Sequence, residues 1–247
     1  MSLGRQSGNL LLPDWPAASR VRSCITTRAG GVSEAPFDTF NLGDHVDDQS
    51  QAVAENRRRL GSELGCVPAW LQQVHGVQVV EADPLKVLEA DASWTATSGV
   101  ACLVLTADCL PVLFCDRGAT RVAAAHAGWR GLAAGVLEET VRTLALPGDQ
   151  LLAWLGPAIG PQAFEVGPEV REAFLDVHAQ AAVAFVPSPN SGRYMADIYQ
   201  LARIRLAACG VTAVYGGGGC TFTDPRFYSY RRTPRTGRFA SLIWLTD

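Results

Sequence analysis

Between residues 100 and 127 the chain reads VACLVLTADCLPVLFCDRGATRVAAAHA, three short runs with little charge, separated by two brief polar breaks. Runs of this length bounded by turn residues are too short for buried helices and fit strands covered on both faces. We therefore expect strands over 100–105 and 110–115, and a third ending at His126. The runs 100–105 and 110–115 are broken by Thr106-Ala107-Asp108-Cys109 and by Pro111. Polar side chains held at such a break can face a cleft, so chemistry can sit there.

The flanking sequence supplies more strands than helices. RVRSCITTRAGGVS reads as a strand closed by a Gly-Gly turn and FDTFNLGDHVDD as a loop, which puts Arg28 and Asn41 on connections. SQAVAENRRRLGSELG has helical spacing, with Ser50 as a cap and Gly65 as a stop. WLQQVHGVQVVEA reads as a half-buried strand pair bent at His75-Gly76. GLAAGVLEETVRTLALPG reads as one amphipathic helix ended by Pro147 and Gly148, and LLAWLGPAIG as a strand and turn. GPEVREAFLDVHAQ is a further helix, with Pro168 near its start and His178 near its end, and DIYQLARIRLAACGV is another, capped by Asp197. TAVYGGGGC, FYSYRR and RFASLIWLT are read as closing strands. Strands and helices do not alternate strictly, which favours an α+β fold over a doubly wound sheet. No repeat or linker divides the chain, so residues 1–247 are expected to form a single domain, with 1–20 as a peripheral segment.

Charge narrows the partners. Lys+Arg number 21 against Asp+Glu 24, a net charge of -3, so no basic stripe is available to follow a phosphate backbone and no nucleic-acid partner is expected. The first residues lack the charge and apolar pattern of a leader, and no apolar stretch is long enough to span a bilayer. The expectation is a cytoplasmic protein with a small-molecule substrate, no membrane and no obligatory protein partner. Seven cysteines without CxxC spacing argue against a disulfide framework and a zinc ribbon.

Only four histidines are present, His45, His75, His126 and His178. His75 and His126 each stand at a strand end beside glycine. Taken alone, a histidine in His126's position is more often a hydrogen-bonded core residue. If His75, Cys109 and His126 converge, they form a borderline-soft set suited to Zn²⁺, with a fourth position open for water or substrate. The separations of 34 and 17 residues match no short zinc motif. The same residues also permit a Cys109 thiolate with His126 as base, and pattern alone does not separate the two readings. The glycines of YGGGGCTFTD lack the Lys-Ser/Thr of a P-loop and read as close packing at a strand end. Arg28, Arg130, Arg231 and Arg232 lie near these segments and are candidates for binding an anion.

The segments TTRAGGVS, FNLGDHV, QQVHG, ADA, TADCLPVLFCD, AAHAGWRG, WLGPAIG, GGGGCTF and FYSYRR…TGRFASLIWL, in this order, resemble the bacterial laccase-domain family over residues 26–245. That family was first labelled polyphenol oxidases and later described as zinc-dependent purine nucleoside phosphorylases. The resemblance implies mixed β-sheets packed together with helices outside, related to the catalytic domain of cytotoxic necrotizing factors. It implies a metal held by His75, Cys109 and His126, with Zn²⁺ as cofactor and Cu²⁺ as the alternative. The implied activity is phosphorolysis of adenosine, inosine and methylthioadenosine, with adenosine deamination beside it. Alternatives are a peptidoglycan editing amidase that removes L-serine from a UDP-MurNAc precursor, and a copper-dependent polyphenol oxidase. On this reading Cys109, His126 and Asp108 are catalytic, and Arg28, Asn41, Gln73 and Arg130 bind purine nucleoside and phosphate. Thr233 and Phe239 stand where an acidic residue and a methionine are expected. A multicopper site needs more histidines than four.

Overall fold

The computed structural model describes residues 4–247. The first half of the chain runs β1 (Arg5–Ser7), β2 (Leu10–Leu12), β3 (Val21–Thr26), α1 (Ser50–Leu64), β4 (Val67–Ala69), β5 (Leu71–Gln72), β6 (Val79–Glu81), β7 (Leu88–Glu89), β8 (Ala92–Thr95), β9 (Val100–Thr106), β10 (Leu110–Asp116) and β11 (Val122–Ala127). The second half adds α2 (Trp129–Ala134), α3 (Val136–Leu144), β12 (Leu151–Leu155), β13 (Glu165–Val166), α4 (Pro168–Leu175), β14 (Phe185–Pro187), β15 (Tyr194–Ala196), α5 (Ile198–Ala208), β16 (Ala213–Gly216) and β17 (Phe239–Leu245).

Two six-stranded mixed sheets carry the architecture, in the orders β1-β2-β3-β17-β9-β4 and β16-β12-β10-β11-β8-β6. Strand alternation sorts the apolar residues into three layers. Val104 of β9 and Ile243 of β17 meet Leu113 of β10 and Trp154 of β12 between the sheets. The opposite face of the first sheet, with Leu103 and Leu242, is covered by Leu60 of α1. The opposite face of the second, with Val112 and Phe114, is covered by Leu137 and Val141 of α3 and by Leu201 of α5. Both faces of the central strands are thus dry, which explains why residues 100–127 read as nearly unbroken apolar runs. The expected α+β fold of packed mixed sheets with helices outside is the one observed.

The break at Thr106–Cys109 is where the chain leaves the first sheet through β9 and enters the second through β10. Residues 5–12 form a hairpin on the edge of the first sheet, with Leu11 reaching the layer between the sheets.

Several local expectations are corrected. The helix expected after Gly131 is two helices, because Gly135 adopts a left-handed φ of 108° that closes α2 and opens α3. Residues in WLQQVHGVQVVEA do not pair with each other: β5 pairs with β7, and β6 with β8. Gln49, not Ser50, occupies the cap position of α1, without a side-chain cap bond. Helix α4 ends at Leu175, so His178 lies beyond it. FYSYRR forms turns rather than a strand, because Arg232 donates to the carbonyls of Thr221, Phe222 and Phe227 and gathers the loop around itself.

Leu113 is fully buried between the sheets. Leu113→Ala is expected to cost about 2–5 kcal/mol of stability through lost transfer energy and a residual cavity. Urea unfolding should show this as a lower midpoint at unchanged slope; a midpoint equal to that of the parent protein would mean the layer between the sheets is not close-packed.

Candidate metal centre

Strand order brings distant residues together. Pairing of β10 with β11 sets Leu110 opposite Ala127, so Cys109, just before β10, lies beside His126 near the end of β11. On the other side of β11 is β8, and beyond it β6, whose preceding turn carries His75. The donor atoms of His75, Cys109 and His126 lie within 4.8 Å of one another. The imidazoles meet edge to face, with centroids 4.7 Å apart. Their burial is graded: His126 is buried, Cys109 intermediate and His75 exposed, so the group opens outward on one side.

Asp91, at the head of β8, organises two of the three residues. Its side chain is fully buried. One oxygen lies 2.7 Å from Nδ1 of His126 and accepts the backbone N–H of His75 at 2.9 Å, while the other accepts the N–H groups of Gly76 at 2.6 Å and Val74 at 3.2 Å. Its own carbonyl accepts the backbone N–H of His126. An Nδ1 proton directed at Asp91 leaves Nε2 of His126, on the Cys109 side, as the nitrogen that would give up its proton to a metal. Three successive N–H groups closing on one carboxylate also explain how His75 is kept at a left-handed φ of 62°, a conformation that is unfavourable for a non-glycine residue.

Glycine is required beside the cluster. A Cβ at Gly128 would lie 3.0 Å from Sγ of Cys109 and 3.2 Å from Cδ2 of His75, and one at Gly131 would lie 2.7 Å from the carbonyl oxygen of Gly76. The Ala-Gly-Trp-Arg-Gly stretch thus lets the start of α2 close over the ligand turn.

Burial by itself would raise the Cys109 thiol. The charge and hydrogen bond of His126, helped by His75, outweigh it and bring the thiol down from 9.0 to about 6. Burial likewise opposes charge on His126, and Cys109 and Asp91 overcome it and raise the imidazole. Asp91 is held below the usual carboxylate range because His126 and the turn N–H groups outweigh its own desolvation. In the metal-free protein these directions put the proton on the imidazole and the negative charge on sulfur.

A thiolate and two imidazoles fit a borderline-soft cation with a fourth coordination position free. Donor atoms around a tetrahedral zinc are roughly 3.5 Å apart, so the three need only draw in slightly.

The cluster opens into a cavity of about 370 Å³, within the usual range for small-molecule sites. Its apolar wall includes Leu105, Ile159, Phe164 and Ile198, and its polar lining includes Gln73, Asp108, Arg231 and Arg238. Gln73 exchanges two hydrogen bonds with the backbone of Leu105, which fastens the His75 turn to the end of β9. Asp108 lines the cavity, but its carboxylate accepts from Thr221 at 2.6 Å and from the backbone of Arg231 at 2.7 Å. That carboxylate ties loops together across the mouth.

Three of the expected binding residues are not brought to the cavity. Arg28 is paired with Asp38 at 2.8 Å and stacks on Tyr228, Arg130 is exposed over the ring of Trp129, and Asn41 is buried and bonded to Gly43, Asp48 and Arg238. Conversely, His45, Tyr230 and Arg238 line the cavity without a role assigned from sequence, and Asp91, within the segment ADA, has none assigned either. The signals for Asp91 are its place in the ADA segment and at the threshold of a buried strand. Of the glycines after Tyr215, Gly216 serves close packing, since a Cβ there would lie 2.5 Å from the carbonyl oxygen of Leu155, whereas Gly218 stands in open space at a left-handed φ of 83°.

A family model described as multi-copper polyphenol oxidoreductase laccase matches residues 22–246, and the chain belongs to this laccase-domain family. A purine nucleoside phosphorylase of Pseudomonas aeruginosa is 73% identical over 238 residues, spanning 96% of this chain and 98% of that one. The purine nucleoside phosphorylase YfiH of Escherichia coli is 55% identical over 241 residues, spanning 96% and 98%. Among solved structures, Neisseria meningitidis protein NMB0706 superposes with a TM-score of 0.94 at 50% identity, covering 97% of this chain and all of its own. YlmD from Geobacillus stearothermophilus gives a TM-score of 0.88 at 28% identity, covering 99% of each chain. Among the described residues no helix is long and apolar enough to cross a membrane.

Asp91→Asn should weaken zinc binding about 10–100-fold in a chelator competition titration, because the neutral amide orients His126 less firmly and stabilises the turn N–H groups less; unchanged affinity would deny Asp91 this role. In metal-stripped protein, a thiol titrating near 6 is mostly thiolate above that pH, so alkylation of Cys109 by iodoacetamide should rise with a midpoint at pH about 6. A midpoint near 9 would mean that the imidazoles do not stabilise the thiolate.

Proposed function

We propose that this protein is a zinc-dependent purine nucleoside phosphorylase of the cytoplasm, acting on adenosine, inosine and methylthioadenosine, with adenosine deamination as a second reaction. The observation that carries the reading is the His75-Cys109-His126 group at the polar side of a cavity with an apolar wall of nucleoside-binding size. The names of the relatives from Pseudomonas aeruginosa and Escherichia coli, each spanned almost end to end, support it.

The residues divide the work by position. Leu105, Ile159, Phe164 and Ile198 offer a purine an apolar surface and exclude water from the reacting bonds. Asp91 keeps the His126 proton on Nδ1 and the turn of His75 in place, so the ligand atoms are set before substrate enters. Gln73 and Asp108 brace the two sides of the opening. His75, Cys109 and His126 would hold Zn²⁺, which when bound would supply Lewis acidity and the means to activate water. Water activation of that kind is what deamination requires. Oxidation by several copper ions is less favoured, because His75, Cys109 and His126 are the one such ligand group found among the described residues.

Zinc content and inosine phosphorolysis of the purified protein, compared with His75→Ala, Cys109→Ala and His126→Ala, test this reading. Each variant should lose most of its zinc and at least about 100-fold in kcat/KM, the scale of loss when a site's main electrostatic element is removed. Full activity in all three would overturn the proposal.

A further inference from the structure

Arg238 stands out among the charged groups of the cavity. It is half-buried, lines the space beside Cys109, Asp108 and Tyr230, and has no carboxylate within ion-pair distance among the described residues. Arg28, Arg57 and Arg226, by contrast, are each paired with an aspartate, Asp38, Asp44 and Asp224. Its Nη1 donates to the carbonyls of Thr236 and Gly237, both at 3.0 Å. Nε and Nη2 have no protein acceptor among the described residues. A guanidinium removed from bulk water without a counter-charge carries a desolvation cost that an arriving anion relieves. The Nε–Nη2 edge is one of the two-pronged edges with which arginine grips a tetrahedral oxyanion.

The surroundings hold this side chain in place. The side-chain oxygen of Asn41 accepts the backbone N–H of Arg238 at 2.8 Å and that of Gly43 at 2.9 Å, stitching the loop after β3 to the start of β17. A Cβ at Gly43 would lie 2.8 Å from Cγ of Arg238, so the stem of the arginine lies directly on that glycine. Arg231, the other arginine of the cavity, is exposed, and its guanidinium is bonded to the carbonyls of Ala163 and Glu165.

We propose that the Nε–Nη2 edge of Arg238 seats free inorganic phosphate beside the metal centre, with Asn41 and Gly43 as positioning residues that act through it. This rests on the phosphorolysis reading, since it assigns the place of the second substrate. A phosphate carried on a nucleoside 5′-monophosphate has the same chemistry at the guanidinium, so the two sources are compared directly.

The experiment is calorimetric titration of the zinc-loaded protein with inorganic phosphate and, separately, with inosine 5′-monophosphate. It is combined with the KM for phosphate in inosine phosphorolysis, zinc content and Tm. Arg238→Gln should weaken phosphate binding and raise KM for phosphate about 10–100-fold, the scale of a lost charge-assisted bidentate contact. Arg238→Lys, which keeps the charge and loses the fork, should fall between Arg238→Gln and the parent protein. Gly43→Ala should raise KM for phosphate while zinc content stays at that of the parent. Phosphate binding by folded, zinc-loaded Arg238→Gln equal to the parent's would overturn the inference, as would binding of the monophosphate but not of free phosphate. Phosphorolysis with an unchanged KM for phosphate in Arg238→Gln would remove this inference and leave the proposed function standing. Arginine-dependent phosphate binding without any phosphorolysis by the parent would remove the proposed function and leave the anion site standing.

Discussion

The carboxylate of Asp91 is the interaction on which the rest of the site depends. It is buried, it is charged, and its compensation comes entirely from groups that belong to the metal centre: one imidazole and three consecutive backbone N–H groups. A buried anion with such partners stabilises the fold only when all of them are in place. The cost of an unsatisfied carboxylate is thereby turned into a constraint on the His75 turn and the His126 ring, and the ligand geometry follows from folding itself.

Around that constraint the two-sheet sandwich acts as a rigid mount. His126 is fixed within a central strand, Cys109 at the entry to its neighbour, and His75 on a turn reached through β8 and β6. Two ligands therefore sit at the edge of the packed layers, while the third lies on a turn braced by Asp91 and Gln73. The apolar wall of the cavity comes from β9, the segment after β12 and the start of α5, so substrate would contact the first sheet, a loop and a helix at once.

Much of the fold was legible because its strongest signals are local. Three apolar runs in residues 100–127 could only be strands with both faces covered, and Asp197 marks the start of α5 by accepting the N–H of Gln200. The candidate metal ligands are legible as residue types at strand ends, although their convergence rests on family resemblance, since pairing across a sheet leaves no trace in spacing. What stayed hidden depends on tertiary contact. The pairing of Arg28 with Asp38, the bond from the backbone of Arg238 to the Asn41 side chain, and the absence of a carboxylate partner for Arg238 among the described residues are of this kind. The split at Gly135 was missed because amphipathic periodicity carries across a single left-handed residue.

The passage of the chain from one sheet to the other at Thr106–Cys109 has a mechanical consequence. Asp108, at a left-handed φ of 94°, accepts from Thr221, while the next residue holds the sulfur. Cys109 follows directly on the crossing, so its sulfur stands where the first sheet hands the chain to the second, beside the strand that carries His126. An occupied centre would act within the second sheet, tying the entry to β10, the end of β11 and the turn before β6 to one ion, so that metal loading and the order of that end of the sheet would rise together.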